Sequence, residues 1–206
     1  MLLFNHRPNF RQKRNCHCSA ARPTRCSFAF FRKHSQALHL AVSCDGLVWD
    51  ALNADPAAYG GDKPVLRSAL GRCSIRDPFL GRDHRGGFVL VATNGEAAVR
   101  EILVYRSRDL LRWDGGRLLD VKLPAARRTW APQYSWIEER GAFLVYWSSS
   151  TRESRGAFAI YAAYTADFSS LGEPFRLFDP GHSVRAHSTL HLQTPSFSLD
   201  TQIDDH

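Results

Sequence analysis

Ile102-Leu103-Val104-Tyr105-Arg106-Ser107-Arg108-Asp109-Leu110-Leu111-Arg112-Trp113 is the stretch whose reading decides the fold. An apolar, partly β-branched run leads into Ser-x-Asp, and an apolar residue follows four positions after the Asp. Such a run favours a strand, and the Ser and Asp side chains can take up backbone N–H groups in the turn that ends it. The element stands earlier as His39-Leu40-Ala41-Val42-Ser43-Cys44-Asp45-Gly46-Leu47-Val48-Trp49. A weaker copy is Ile160-Tyr161-Ala162-Ala163-Tyr164-Thr165-Ala166-Asp167-Phe168, with Leu171 in the Trp position. The three Asp residues are 64 and 58 positions apart, and a recurrence of that kind marks a repeat architecture. The expected role of these Asp side chains is structural, in the turns.

A second element lies between the copies of the first. Arg76-Asp77-Pro78-Phe79-Leu80 leads through Arg85-Gly86-Gly87 into Phe88-Val89-Leu90-Val91-Ala92-Thr93. Its partner runs from Ala131-Pro132-Gln133-Tyr134-Ser135-Trp136-Ile137 through Arg140-Gly141 into Phe143-Leu144-Val145-Tyr146-Trp147-Ser148. Two β-rich runs joined by a short Gly-containing turn read as a hairpin. The order hairpin, connection, hairpin then repeats about every sixty residues, and four antiparallel strands per unit make the blade of a β-propeller. Residues 76–120 form one unit, 131–178 another, and 28–50 part of a third. The fold class expected is all-β, a partial propeller of about two to three blades. Closed propellers have about 4 to 8 blades, so even four units of this length need roughly 240 residues. The repeat-bearing part is shorter, which predicts either a ring completed by partners or a fragment of a longer protein.

Charge separates the ends from the body. The net charge is +7, yet the first 44 residues hold eight Lys or Arg and no acid. The remainder carries 19 Lys or Arg against 20 Asp or Glu. The basic character belongs to the N-terminal segment, so the repeats lack the basic face that nucleic-acid binding needs. No apolar run reaches the ~18 residues of a membrane-spanning helix, and Leu2-Leu3-Phe4 is too short for a secretory signal. The expected partners are therefore neither nucleic acid nor membrane, and the compartment stays open. Five scattered cysteines, Cys16, Cys18, Cys26, Cys44 and Cys73, make no disulfide framework. Cys16-His17-Cys18 lacks a second well-spaced pair for zinc, and His182, His187 and His191 lack a further ligand on a rigid element. No metal or cofactor is expected.

Two segments at the starts of the units could carry chemistry. Asp77 would sit where the innermost strand of a blade lines the central channel. Beside a cationic Arg76 its charged form is favoured, and a carboxylate can act as a base towards water. The alternative is that Asp77 pairs with Arg76 or caps the turn before Pro78. In the corresponding place, Trp130-Ala131-Pro132-Gln133-Tyr134 offers aromatic rings beside an amide, a combination that suits a sugar's C–H faces and hydroxyls. Aromatic packing between blades would use the same residues.

The chain resembles glycoside hydrolase family 43, five-bladed propeller enzymes acting on arabinans, xylans and related glycans. The likeness rests on Leu40-Ala41-Val42-Ser43-Cys44-Asp45-Gly46-Leu47-Val48-Trp49, Leu52-Asn53, Lys63-Pro64-Val65-Leu66, Arg76-Asp77-Pro78-Phe79 and Ser107-Arg108-Asp109-Leu110. It continues through Trp130-Ala131-Pro132, Tyr146-Trp147-Ser148-Ser149, Thr165-Ala166-Asp167-Phe168 and Phe178-Asp179-Pro180-Gly181. The resemblance implies hydrolysis with inversion, with Asp77 as general base and Arg76, Trp130 and Gln133 at the sugar. The implied partner is a plant-type or other oligo- or polysaccharide.

Two further carboxylates belong to that pattern, one tuning the site and a Glu acting as general acid. Neither is visible. After Gly181-His182-Ser183-Val184 the pattern leads to an Ile-Asp step, whereas the chain reads Arg185-Ala186-His187. Gln133 stands where the family usually has Glu, and an amide cannot titrate. The expected organisation is a basic leader over 1–27, a partial glycosidase-like propeller over 28–183 and an unmatched tail over 184–206, as in a truncated or frame-shifted product with impaired activity. The second reading is a non-catalytic glycan-binding or remnant propeller. The Ser-x-Asp turns also resemble the Asp-box of sialidase-like propellers. There, however, the Trp falls one residue later than Trp49 and Trp113, and the core strands here show no arginine cluster for a sialic-acid carboxylate.

Overall fold

A computed structural model of the chain describes residues 2–4, 25–96, 99–152, 154, 156–179, 186–193 and 196–203. Twelve strands form three four-stranded antiparallel sheets in chain order. The first holds β1 (Leu2–Phe4), β2 (Arg25–Phe31), β3 (Leu38–Ser43) and β4 (Asp50–Ala51). The second holds β5 (Arg76–Arg82), β6 (Phe88–Thr93), β7 (Glu101–Ser107) and β8 (Trp113–Asp120). The third holds β9 (Ala126–Ile137), β10 (Ala142–Thr151), β11 (Phe158–Thr165) and β12 (Phe175–Phe178). A hairpin of β13 (Ala186–Gln193) and β14 (Ser196–Ile203) follows. Each sheet is a meander whose neighbours in sequence are neighbours in space, the arrangement of propeller blades.

The packing between sheets repeats as well. The second strand of each sheet lies against the first strand of the next, in the pairs β2 with β5, β6 with β9 and β10 with β13. The β13–β14 hairpin thus occupies the place of the first two strands of a fourth blade. It lies in the segment 184–206 that the sequence reading sets apart as a tail, and β1 lies in the segment 1–27 set apart as a leader.

Strand alternation divides the core between the blades. Side chains along a strand point to opposite faces in turn, and β6 is buried throughout. Its Phe88, Leu90 and Ala92 join Leu38 and Leu40 of the first blade. Its Val89 and Val91 join Phe143, Val145 and Trp147 of the third. On the far face of the third blade, Leu144, Tyr146, Ile160 and Ala162 form a further cluster.

The Ser-x-Asp copies all fall between the third and fourth strands of their blades. The N–H of Gly46, Leu110 and Phe168 donates to Ser43, Ser107 and Thr165 respectively. The first carboxylate oxygen of Asp45 accepts from Leu47 and Val48, that of Asp109 from Leu111 and Arg112, and that of Asp167 from Ser169. These contacts hold all three carboxyls below the ordinary Asp range. The residue after each Asp is left-handed, with φ of 78° at Gly46, 66° at Leu110 and 61° at Phe168.

The connection from β4 to β5 carries the chain to the end of the molecule where β5 begins. Buried Asp62 anchors it by accepting from His39 Nδ1 and pairing with Arg32, while Ser35 Oγ lies 2.9 Å from His39 Nε2. The Ile75 N–H then donates to Gln36 O at 2.8 Å. That contact fixes the start of β5, and with it Arg76 and Asp77, against the turn between β2 and β3.

Candidate active site

Asp77 and Ala131 are equivalent positions on successive blades. On the second blade Arg76 pairs with Thr93 and Phe79 with Val91, with an irregularity between them. On the third, Trp130 pairs with Ser148 and Gln133 with Tyr146, with the same irregularity. Each innermost strand therefore bulges at an x-Pro step, Asp77-Pro78 or Ala131-Pro132. The bulged residues share a left-handed backbone, φ 44° at Asp77 and 46° at Ala131. Non-glycine residues adopt this conformation uncommonly, Asp more readily than Ala. A bulge re-aims one residue of a strand, and on the second blade that residue is a carboxylate.

Thr93 joins the two bulges. Its hydroxyl donates to the Asp77 carboxylate at 2.8 Å, and the Ala131 N–H donates to Thr93 Oγ1 at 2.8 Å. Thr93 is 1% exposed and Asp77 half-buried, so a covered side chain holds a half-buried carboxylate.

Arg76, next to Asp77 in sequence, has an ion-pair partner of its own. Its guanidinium pairs with Glu96, in the connection after β6, and lies 5.2 Å from the Phe31 ring centroid. Arg76 holds the Glu96 carboxyl below its ordinary range, and the nearby charge of Asp77 acts in the opposite direction. Trp130 packs within its own blade, stacked on Phe158 at 4.9 Å with the Arg128 guanidinium 5.0 Å from its ring. Gln133 is half-buried, and its Oε1 accepts from the Tyr146 hydroxyl at 3.0 Å. Of the four residues singled out from the sequence, the geometry links Asp77 to the backbone beside Trp130. It gives Arg76 and Gln133 partners of their own.

Thr93 and Glu96 escape the sequence reading. Thr93 closes an otherwise apolar strand and reads as its last residue, and nothing local points from there to Ala131, 38 positions on. Glu96 sits in a loop, and its pairing with Arg76 appears once β5 and β6 are side by side.

Among the described residues, no group of three His, Cys, Asp or Glu side chains could hold a metal ion. Cys16, Cys18 and His182 lie outside the described residues, as does Arg185, the first residue after Val184, where the family pattern leads to Ile-Asp. Among the described residues, no helix is long and apolar enough to cross a membrane. What the arrangement offers, among the described residues, is a half-buried carboxylate on an inner strand, held by the Thr93 hydroxyl.

Residues 27–198 match the glycosyl hydrolase 43-related family, described as "Probable glycosyl hydrolase domain". The chain belongs to this family. All of β3 to β13, and β2 from Ser27 onward, fall within the matched residues. Over 157 residues the chain is 29% identical to an alpha-L-arabinofuranosidase of Bifidobacterium longum subsp. longum, an alignment covering 61% of this chain and 15% of that protein. An endo-arabinase structure from Bacteroides thetaiotaomicron superposes with a TM-score of 0.56 at 17% identity, covering 82% of this chain and 66% of that one. An alpha-L-arabinofuranosidase from Fusarium graminearum, bound to an iminosugar inhibitor, gives 0.55 at 16% identity, covering 81% of this chain and 49% of that one. At these identities the structural likeness is one of fold. The glycosyl hydrolase 43-related chain thus spans about half the length of the Fusarium structure and a smaller share of the Bifidobacterium protein.

Proposed function

We propose that the chain is a glycoside hydrolase-type propeller that binds arabinose- or xylose-containing oligo- or polysaccharides, with Asp77 as the general base that activates water. The observation that carries this reading is the Asp77 carboxylate itself, aimed by a left-handed bulge and held by Thr93 on an inner strand. Membership of a glycosyl hydrolase-related family supports the reaction class. The Bifidobacterium relative supports the sugar class.

Inversion needs an acid and a base about 6.5–9.5 Å apart, with room for water on the far side of the sugar. The inner-strand equivalent of Asp77 on the third blade is Ala131, and Gln133 brings an amide. Glu96 is accessible but is held charged by Arg76, which makes it a poor proton donor at neutral pH. Hydrolysis of natural glycosides, whose leaving groups need protonation, is therefore impaired. Trp130, Gln133 and Arg76 contribute to sugar binding around Asp77.

A second reading, binding without catalysis, is favoured by the alanine and the amide at those two inner-strand positions. Calorimetric titration with arabino- and xylo-oligosaccharides tests what both readings share. Saturable binding at millimolar sugar or below, weakened by Gln133→Ala, is expected. Absence of binding to both series would remove both readings.

A further inference from the structure

Thr93 stands between a carboxylate of one blade and a backbone amide of the next. A threonine hydroxyl has one proton and two acceptor lone pairs. The Ala131 N–H occupies one lone pair at 2.8 Å, so the hydroxyl proton is directed to Asp77 at 2.8 Å. Buried hydrogen bonds in such a chain polarise one another, and the three groups act as a single N–H to O–H to carboxylate relay.

The two bulges make the relay possible. Between Trp130 and Gln133 the β9–β10 ladder loses its register, and the left-handed Ala131 aims its N–H at the second blade. The matching bulge brings Asp77 to the same hydroxyl from the other side. Ser148 is the register equivalent of Thr93 on the third blade, and among the described residues its buried hydroxyl has no hydrogen-bond partner.

We infer that Thr93 is the positioning residue of the proposed base, and that the Ala131 amide of the neighbouring blade sets the direction of its proton. The orientation of Asp77 then depends on the docking of the second blade on the third. The inference rests on the reading of Asp77 as the base, but the coupling can be measured without turnover.

The first experiment follows the Ala131 amide by NMR in the full chain. Asp77→Asn shifts that resonance in the wild-type background, and the shift disappears when Thr93→Val is also present. Thr93→Val also makes Ala131 amide exchange about tenfold faster, equivalent to a hydrogen bond of about 1.4 kcal/mol. The second experiment uses an aryl arabinofuranoside with an activated leaving group. Thr93→Val lowers kcat about tenfold with KM unchanged, Thr93→Ser restores it, and Ser148→Ala changes neither. An Ala131 amide indifferent to Asp77→Asn would overturn the inference, whatever the activity. Equal kcat in Thr93→Val and Thr93→Ser would overturn it as well. An intact amide coupling beside turnover that ignores Asp77→Asn would instead remove the reading of Asp77 as the base.

Discussion

Asp109 carries two backbone N–H groups and the turn that closes its blade, and its role is in that sense structural. Hydrogen bonds from the Arg112 and Leu111 amides and from Ser107 hold its carboxyl below the ordinary value. A group with a depressed folded pKa stabilises above its unfolded value, and that contribution is lost as the pH falls through the folded value. Thermal stability should therefore decline as the pH drops below about 4. Asp109→Asn keeps an oxygen acceptor and removes the charge, so its melting temperature should fall less steeply with acid over the same window. Solvent screens this exposed turn, which keeps the difference small. Parallel slopes for the two proteins would contradict the account.

The same scale shows which parts of the site the sequence could reveal. Arg76-Asp77-Pro78 was legible because an acid before a proline at the start of a β-unit is a local pattern. The partner of Arg76 was not. Neighbouring residues on a strand point to opposite faces, and the guanidinium reaches Glu96 in the loop after β6. Trp130 offered an aromatic ring to either a sugar or a blade, and the stacking on Phe158 depends on β11, which no nearby residue announces.

At the level of elements, Tyr134 is one of the buried side chains through which the second and third blades dock. Tyr134 of β9 donates its hydroxyl to Val89 O at 3.0 Å, and burial pushes its phenol above the ordinary range. It packs edge-on to Phe79 and Phe168. A Cβ at Gly81 would come within 2.6 Å of that hydroxyl oxygen. Gly81→Ala should destabilise by about 1–3 kcal/mol through overpacking. Tyr134→Phe should cost about 1 kcal/mol for the lost hydrogen bond. Chemical denaturation followed by tryptophan fluorescence measures both, and an unchanged midpoint in Gly81→Ala would contradict this packing. The strands that build the interface were readable, because β6, β7 and β10 are apolar, β-rich runs bounded by turn residues. β8 was not readable on that basis, since Trp113–Asp120 contains a Gly-Gly pair and is largely exposed. β4, at two residues, is too short to show any period.

For the whole molecule, three four-stranded blades and a further hairpin follow one another with the same packing rule. The repeat spacing made the blades legible without any contact. The placement of β1 and of the β13–β14 hairpin was not, because no repeat motif marks either segment.

The proposed base belongs to this larger assembly, since Asp77 is held through Thr93 by a blade other than its own. The decisive measurement is turnover of 2,4-dinitrophenyl α-L-arabinofuranoside, whose leaving group departs without protonation and so reports the base alone. The account predicts measurable hydrolysis by the chain and a loss of about a hundredfold or more in Asp77→Asn. Equal rates in the two proteins, or no turnover by either, would contradict it.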